Sequence, residues 1–285
     1  MAWSWAFVTT VVADIDAASK FYAGALGLPA VGEGEFSAIG AEGRMFGLGA
    51  NARVAVVSPV GEGLARRALD EYRGGLCHVG LAVDRTPSEG TPVRSPLGDG
   101  RLVALAGELM LELVEAPGSP SPGMDAAGST VAELDHVAVA VPDLDAAAGR
   151  LNGLGLDEDP PASRWDFPQL QTRNAVFPGH SGYLEINQAF SGEGIFGSLA
   201  AARGTAIVGL TLTVGDMDAA VTRLRDSGVG VSDPAPVLAR TPAAEDLDLG
   251  LSAVVSMKHS HGARLFLFAP SASAPHYGPT SSAVS

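Results

Sequence analysis

The chain has 285 residues, 46% of them hydrophobic and 18% charged, which is enough for about two globular domains with their own cores. Its formal net charge of −14 excludes a general electrostatic affinity for nucleic acid or for an anionic membrane surface. The single cysteine, Cys77, excludes a disulfide framework and a cysteine-rich zinc site. The partner expected is therefore a small molecule or a protein rather than nucleic acid or a membrane. A cytoplasmic location is also expected, because the apolar start "MAWSWAFVTTVVADID" lacks a basic segment and no apolar run approaches the about 18 residues of a membrane span.

A strand followed by a short helix recurs along the chain. The copies read "FVTTVVADIDAASKFYAGALGL" (7–28), "ELDHVAVAVPDLDAAAGRLNGLGL" (133–156) and "GLTLTVGDMDAAVTRLRDSGV" (209–229). In each copy an aspartate, Asp14, Asp143 or Asp216, stands where a helix N-cap is expected. A further strand of this kind, "LCHVGLAVD" (76–84), runs into a Pro- and Gly-rich stretch without a helical pattern.

Shorter β segments follow each opening strand, and the last of each group closes a unit. The closing segments are "ARVAVVSP" (52–59), "LMLELVEAP" (109–117), "GYLEINQAF" (182–190) and "RLFLFAP" (264–270). The sequence therefore predicts an α+β protein of four βαβββ modules, the second of which is abridged. Modules 1 and 2 occupy residues 1–117 and modules 3 and 4 residues 132–270, with a linker at 118–131 and a flexible tail at 271–285.

A unit that opens with "LDHVAVAVPDLDAA" and closes with "GYLEI" resembles the vicinal oxygen chelate superfamily. This superfamily includes glyoxalase I, extradiol dioxygenases, epimerases and bleomycin-type resistance proteins. The stretch "TRNAVFPGHSGYLEI" (172–186) is most similar to the glyoxalase-like branch. The resemblance covers about residues 5–270 and implies two concave mixed β-sheet half-barrels. It implies no single reaction, because the superfamily contains several chemistries as well as pure binding proteins.

The resemblance also implies where metal ligands would stand, early in the first strand of a module and midway along the last. Module 2 has His78 and Glu112 at these positions, and module 3 has His136 and Glu185. If modules 2 and 3 pair, the four side chains converge on one divalent Ni, Co, Mn, Fe or Zn ion. If neighbouring modules pair instead, each cavity receives one histidine and one glutamate, which is half a site.

Strand alternation favours an inward direction for the two histidines independently of the family. His136, Ala138 and Ala140 share one face of their strand, and three valines occupy the other. A metal-free pocket with structural histidines remains open. In module 2 a slip of one residue would also turn Glu112 away from the cavity and bring Glu115 inward.

Further side chains are candidates for a substrate pocket or for acid–base chemistry. Trp165 and Arg164, in the loop "SRWDFPQ", are suited to stacking on a ligand and to pairing an anion, and Asn174 to orienting a substrate oxygen. His259 and His261, in a turn before the last strand, are possible acid–base groups. The complete set of predicted pocket residues is Phe7, Arg164, Trp165, Asn174, Tyr183, Phe266 and Phe268.

The function expected is that of a metal-dependent enzyme acting on a small oxygenated molecule. Glu185 is the expected proton carrier in an isomerisation, epimerisation or lyase reaction. A metal-free protein that binds or sequesters a small molecule, as in antibiotic resistance, is the alternative. Ring cleavage of the extradiol dioxygenase type is the third possibility. The resemblance implies that such enzymes take their metal ligands from modules 3 and 4, and module 4 of this chain has neither a histidine nor a glutamate at the ligand positions. Four modules in one chain allow either a monomer or a homodimer.

Overall fold

The computed structural model describes residues 2–49, 52–106, 109–115, 129–159, 164–240 and 246–272. The strands of the first half are β1 (Trp3–Val11), β2 (Ala30–Phe36), β3 (Ala41–Leu48), β4 (Ala52–Pro59), β5 (Gly75–Val83), β6 (Thr91–Ser95), β7 (Gly98–Ala106) and β8 (Leu109–Glu115). Those of the second half are β9 (Glu133–Ala140), β10 (Asp166–Phe167), β11 (Thr172–Pro178), β12 (Tyr183–Ala189), β13 (Ala206–Thr213), β14 (Ala235–Arg240), β15 (Asp246–Val255) and β16 (Leu265–Pro270). The helices are α1 (Ile15–Ser19), which continues as a π-helical stretch (Lys20–Ala25), α2 (Leu64–Tyr72), α3 (Leu144–Gly153), α4 (Gly194–Arg203) and α5 (Met217–Asp226).

Each group of four strands forms one module of a mixed sheet. The first and last strands of every module pair in parallel, and the inner strands pair antiparallel. The first half is a sheet of eight strands in the order β2-β3-β4-β1-β5-β8-β7-β6, and the second half is a closed barrel in the order β10-β11-β12-β9-β13-β16-β15-β14. The predicted α+β fold of four modules in two curved sheets is therefore confirmed.

The modules pair with their neighbours in sequence. β1 lies antiparallel to β5, and β9 lies antiparallel to β13, so module 1 joins module 2 and module 3 joins module 4. The pairing of module 2 with module 3, on which the convergence of four metal ligands depended, is therefore wrong. The physical reason is that consecutive units with short connections dock on each other before more distant ones.

The helices that follow the first strands are capped as predicted. The carboxylates of Asp14, Asp143 and Asp216 each accept a hydrogen bond of 2.9 Å from the backbone N–H three residues further on. Module 2 has no helix between β5 and β6, also as predicted. The sequence patterns did not indicate α2 and α4, which follow the closing strands of modules 1 and 3.

The cap of α5 should contribute measurably to stability. We expect Asp216→Ala to lower the free energy of unfolding by about 1 kcal/mol, because the N-terminal backbone N–H of the helix loses its partner. Urea unfolding followed by circular dichroism measures the change. Asp218→Ala removes a carboxylate from the same turn without removing the cap. An equal loss in both variants would show that charge, rather than the cap, is responsible.

The main hydrophobic core lies between the two sheets. It collects the outward side chains of the central strands, such as Val79 of β5, Val137 of β9 and Leu184 of β12, together with helix residues. Polar contacts also join the halves: the Arg150 guanidinium donates to the carbonyl of Ala104 at 3.1 Å. A concave face is thus left inside each half, and each is covered at one side by a helix, α2 or α4.

Two predicted segments fall largely outside the described part of the chain. These are the linker at 118–131, of which only residues 129–131 are described, and the tail at 271–285, of which only 271 and 272 are described. Among the described residues, every helix is too short or too polar to span a membrane.

Candidate functional site

The interior of the second-half barrel contains a polar pair at the level of its central strands. His136 lies on β9 and Glu185 on the adjacent β12, and their facing atoms Nε2 and Oε2 are 3.9 Å apart. Both side chains point away from the main core because their strand neighbours, Val137 and Ile186, are buried in it. The side chains keep 15% and 9% of their surface exposed, so solvent or a ligand reaches the pair.

Glu185 faces two amides. Asn174 on β11 donates to Oε1 at 2.7 Å, and Asn187 on β12 donates to Oε2 at 3.0 Å. The Asn174 side chain is fixed in turn, because its own oxygen accepts the backbone N–H of Trp165 at 2.9 Å. Two amide donors, one on each oxygen, fix the direction of this buried carboxylate.

The His136 ring is oriented from both sides. Asp135 Oδ2 lies 2.7 Å from Nδ1, so a proton on Nδ1 is donated to this carboxylate. On the other side Nε2 lies 2.9 Å from the hydroxyl of Thr211 on β13, and Tyr183 stacks on the ring at a centroid distance of 4.6 Å. Nε2 is therefore the nitrogen that faces the barrel interior and Glu185.

The charges around His136 favour its protonated form. Burial is the largest single effect and lowers the pKa of the imidazole. The hydrogen bond to Asp135 and the negative charges of Glu185 and Asp135 together outweigh it, so the pKa is raised above its ordinary value. The site thus places an imidazole with a raised pKa beside the carboxylate of Glu185.

An apolar wall completes the interior on the side of module 4. Phe167, Leu249 and Phe268 are buried there against one another, and Trp165 packs against them at the edge. Trp165 also joins the wall to the polar group through its backbone bond to Asn174. The barrel therefore offers polar atoms on one side and aromatic surface on the other.

The first half carries the same three residue types at equivalent positions. Thr9 pairs with His78 as Thr211 pairs with His136, and Glu112 stands beside Gly80 as Glu185 stands beside Ala138. His78 and Glu112 are fully buried, and their atoms Nε2 and Oε2 are 3.6 Å apart, which is too long for a good hydrogen bond. Glu112 rather than Glu115 is therefore the inward carboxylate of module 2.

The surroundings of this first pair are apolar where those of the second are polar. Cys77 stands in place of Asp135, Gly100 in place of Asn174 and Val114 in place of Asn187. The four ring and carboxylate atoms of His78 and Glu112 have no hydrogen-bond partner of good geometry among the described residues. Burial raises the pKa of Glu112 to about 7, against a smaller lowering effect of the Ser95 hydroxyl, and lowers that of His78 to about 3.

Phe7 closes the first cavity. Its ring lies 5.4 Å from the His78 ring and 5.5 Å from that of Phe36, and it fills the space above Gly80, where a Cβ atom would lie 2.5 Å from the ring. The predicted role of Phe7 as a wall of a substrate pocket therefore does not hold in the half that contains His136. Phe7 is core instead.

In the part of the chain that the structure describes, neither half fits a chelated metal ion. A catalytic site normally supplies three protein ligands, and among the described residues no group of three or more His, Cys, Asp or Glu side chains could hold one. In the second half the candidate ligand atoms of His136 and Glu185 already have hydrogen-bond partners. In the first half the candidate ligand atoms have no hydrogen-bond partner, but His78 and Glu112 supply only two of the three ligands required. The expected site of four ligands is not formed, because the two pairs lie in different sheets.

The remaining predicted residues are divided between the site and other roles. Arg164 is not available to pair an anion, because it binds the carboxylates of Glu158 at 2.7 Å and Asp145 at 2.6 Å. The Phe266 ring lies over Gly209, where a Cβ atom would be 2.5 Å away, next to Thr211.

The two histidines of the last turn lie in the loop before β16, where His259 contacts a second loop. The Nδ1 atom of His259 accepts the backbone N–H of Gly230 at 3.1 Å, which ties the turn to the segment after α5. His261 adopts a positive φ of 56° in the same turn.

Three residues of the site were not predicted as functional. Asp135 directly precedes His136, and this adjacency, from which a carboxylate can reach the ring, was the signal that could have identified it. Asn187 shares the strand face of Glu185, and this alternation was the signal that could have identified it. Thr211 lies opposite His136 on the neighbouring strand β13, and only the strand pairing reveals this contact.

The comparisons with known proteins agree with this architecture. Residues 135–243 match the family model described as "Glyoxalase/Bleomycin resistance protein/Dioxygenase superfamily". No curated protein shows significant sequence similarity to the chain.

Similar folds occur among solved structures. A mutant of 4-hydroxymandelate synthase from Streptomyces coelicolor superposes with a TM-score of 0.69 at 14% identity, over 98% of this chain and 95% of that one. A xylose isomerase-like TIM barrel/4-hydroxyphenylpyruvate dioxygenase fusion protein gives a TM-score of 0.59 at 15% identity, over 98% of this chain and 51% of that one. Methylmalonyl-CoA epimerase from Mycobacterium tuberculosis is 26% identical over 51% of this chain and 92% of its own, with a TM-score of 0.43.

The first two likenesses extend over nearly the whole chain and show a shared fold of four modules. The family match lies within modules 3 and 4 and includes the strands that carry His136 and Glu185. Residues 135–243 therefore form a domain of the Glyoxalase/Bleomycin resistance protein/Dioxygenase superfamily, also called the vicinal oxygen chelate superfamily.

Proposed function

We propose that the second-half barrel is the active site of an enzyme that moves a proton on a small oxygenated molecule. One observation carries the proposal. A histidine held at Nδ1 by Asp135 presents Nε2 to a carboxylate 3.9 Å away, inside a barrel that is not completely closed to solvent. Acid–base catalysis requires a group that can donate a proton next to a group that can accept one.

The two groups take complementary parts in such a reaction. Glu185 removes a proton from a carbon next to a carbonyl group, and the electron pair of the C–H bond forms the new double bond. The His136 imidazolium gives its Nε2 proton to the carbonyl oxygen, so that a neutral enol results. The enol proton then returns to His136 and Glu185 returns its proton to the carbon, which gives epimerisation if the enol has turned its other face to Glu185. In a hydroxyketone Glu185 can instead deliver its proton to the former carbonyl carbon while the neighbouring hydroxyl group gives its proton to His136, which gives isomerisation. Thr211, 2.9 Å from Nε2, is placed to orient the oxygen.

A binding protein without catalysis is the second candidate. It is favoured by the two amides on Glu185, since each carboxylate oxygen already accepts a hydrogen bond. A carboxylate held in this way is suited to anchoring a ligand in a fixed position. In that case the barrel would bind its ligand without proton transfer.

Hydrogen–deuterium exchange at carbon distinguishes the two candidates. The purified protein is incubated in D₂O with a panel of small hydroxyketones, ketones and keto acids, and loss of the α-proton signal is followed by NMR. We expect exchange with the wild type and a loss of about 10²–10⁴-fold for Glu185→Gln, which keeps the shape but cannot take a proton.

The matched control for this experiment is His180→Gln, a change in an exposed turn. It should leave the exchange rate unchanged. Tight binding of a panel member without exchange in the wild type would reject the proton-transfer reaction and favour the binding protein. An undiminished rate in Glu185→Gln would reject the role of this carboxylate.

A further inference from the structure

We infer that the molecule taken up by the second-half barrel carries no negative charge and has an aromatic or polycyclic body. The inference rests on the proposed function in one respect, since it takes this barrel as the site. It goes further by naming the charge and the shape of the molecule that this barrel takes up.

The charges at the polar end of the barrel disfavour an anion. Two carboxylates surround a single imidazole: Asp135 lies 2.7 Å from Nδ1 of His136, and Glu185 lies 3.9 Å from Nε2. The three groups together carry a net charge of about −1 with the ring protonated and −2 with the ring neutral. In a partly buried site such charges act with little screening. A carboxylate or phosphate entering this end would therefore be repelled.

The arginines around the barrel already have partners. Arg164 binds both Glu158 and Asp145, and Arg173 binds Asp166 at 2.7 Å. These guanidinium groups neutralise the protein's own carboxylates. The two undescribed stretches of the second half before the tail, 160–163 and 241–245, contain no lysine or arginine in the sequence.

Arg264 at the start of β16 serves the backbone. Its guanidinium donates to the carbonyl of Val208 at 3.2 Å. The first half repeats this arrangement, because Arg53 donates to the carbonyl of Ala6 at 3.4 Å, at the equivalent position. Phe7 fills the cavity of the first half, so the arginine there does not serve a ligand. Ala6 and Val208 both lie at a shift in strand register, and in each half the arginine holds this irregular backbone in place.

The aromatic wall indicates the body of the molecule. Phe167, Phe268 and Leu249 form an apolar surface inside the barrel, and Trp165 lies at its edge beside the amide of Asn174. A planar ring seated on this wall would direct an oxygen substituent towards the polar group. The pairing of an apolar wall with hydrogen-bonding groups of net negative charge fits an uncharged phenol, ketone or amide.

Two probes of the same shape and different charge test the inference. Dissociation constants of para-hydroxybenzamide and para-hydroxybenzoate are measured by ligand-observed NMR titration at pH 7.5, where only the second is an anion. We expect the wild type to bind the amide at least about tenfold more tightly. Asp135→Asn and Glu185→Gln, each of which removes one negative charge, should narrow this ratio. Asp226→Asn makes the same change in net charge at an exposed position on α5 and should leave the ratio unchanged.

The outcomes separate this inference from the proposed reaction. Equal or tighter binding of the anion would overturn the inference, and so would failure of both probes to bind. Binding of the amide with the expected preference, but without hydrogen–deuterium exchange on any neutral ketone, would reject proton transfer and keep the inference. Exchange on anionic keto acids alone would support proton transfer and overturn the inference about charge.

Discussion

His136→Gln is expected to lower the rate of proton exchange at substrate carbon by about 10²–10⁴-fold while the chain stays folded. Glutamine keeps a polar side chain beside Asp135 and Thr211, but it cannot give a proton to the carbonyl oxygen of a substrate. The measurement is the same NMR exchange assay, with the melting temperature as a check on folding. A variant that exchanges at the wild-type rate would remove His136 from the mechanism.

The pH dependence separates a proton carrier from a structural histidine. The hydrogen bond to Asp135 and its charge raise the pKa of His136. Asp135→Asn keeps the contact and removes the charge, so the pKa of the ring falls. We therefore expect the pH at which the exchange rate changes through this group to move lower in the variant. An unchanged pH profile together with a lower rate would mean that Asp135 only supports the local structure.

The double variant His78→Leu/Glu112→Met is expected to raise the free energy of unfolding by about 1–4 kcal/mol. Both side chains are fully buried, and none of their polar atoms has a partner of good geometry among the described residues. An unpartnered buried polar group costs about 1–3 kcal/mol, and apolar residues of similar volume remove that cost. Urea unfolding of the double variant and the wild type measures the difference.

The second half provides the matched control for this prediction. His136→Leu/Glu185→Met makes the same two changes at the equivalent positions, but there it leaves Asp135, Asn174 and Asn187 without their partners. This variant should lose stability. If the first-half variant also loses stability, the prediction is wrong and the buried pair of His78 and Glu112 stabilises the fold.

The gain of the first-half variant should depend on pH in a defined direction. The pKa of His78 is lowered to about 3 in the folded chain, so as the pH falls below about 6.5 the unfolded chain takes up a proton that the folded chain resists. The pKa of Glu112 is raised to about 7, so above about pH 4.5 the unfolded chain releases a proton that the folded chain keeps. The two effects oppose each other between these values. Below about pH 4.5 only the histidine effect continues, and the advantage of the variant should grow.

The fold was predictable from the sequence to the extent that its signals are local. The aspartate caps at Asp14, Asp143 and Asp216 and the missing helix of module 2 were predicted correctly, because caps and alternation depend on residues a few positions apart. Helices α2 and α4 were not predicted. The start of α4, "GEGIFGS", is rich in glycine and reads as a turn, and the helix depends on the packing of Phe196 against the inner strands.

The candidate site was predictable only in part. The inward direction of His136 and Glu185 follows from the period of two along a strand. The two amides on Glu185 come from Asn174 on a neighbouring strand and from Asn187, and their approach depends on the register of β11 and β12. The commitment of Arg164 to Glu158 and Asp145 depends on the path of a loop, which no residue pattern reveals.

The sequence by itself determined the four modules, the strand faces and the placing of one histidine and one glutamate in each of modules 2 and 3. These are properties of short segments, so the order of residues specifies them directly. Only the tertiary structure decided that module 1 joins module 2 and module 3 joins module 4, which divides the four expected ligands into two pairs. It also decided that Phe7 fills the first cavity, while Asp135 and the two asparagines keep the second polar. Such contacts join residues far apart in the chain, and the free energy that selects them comes from the packing of whole sheets rather than from any one segment.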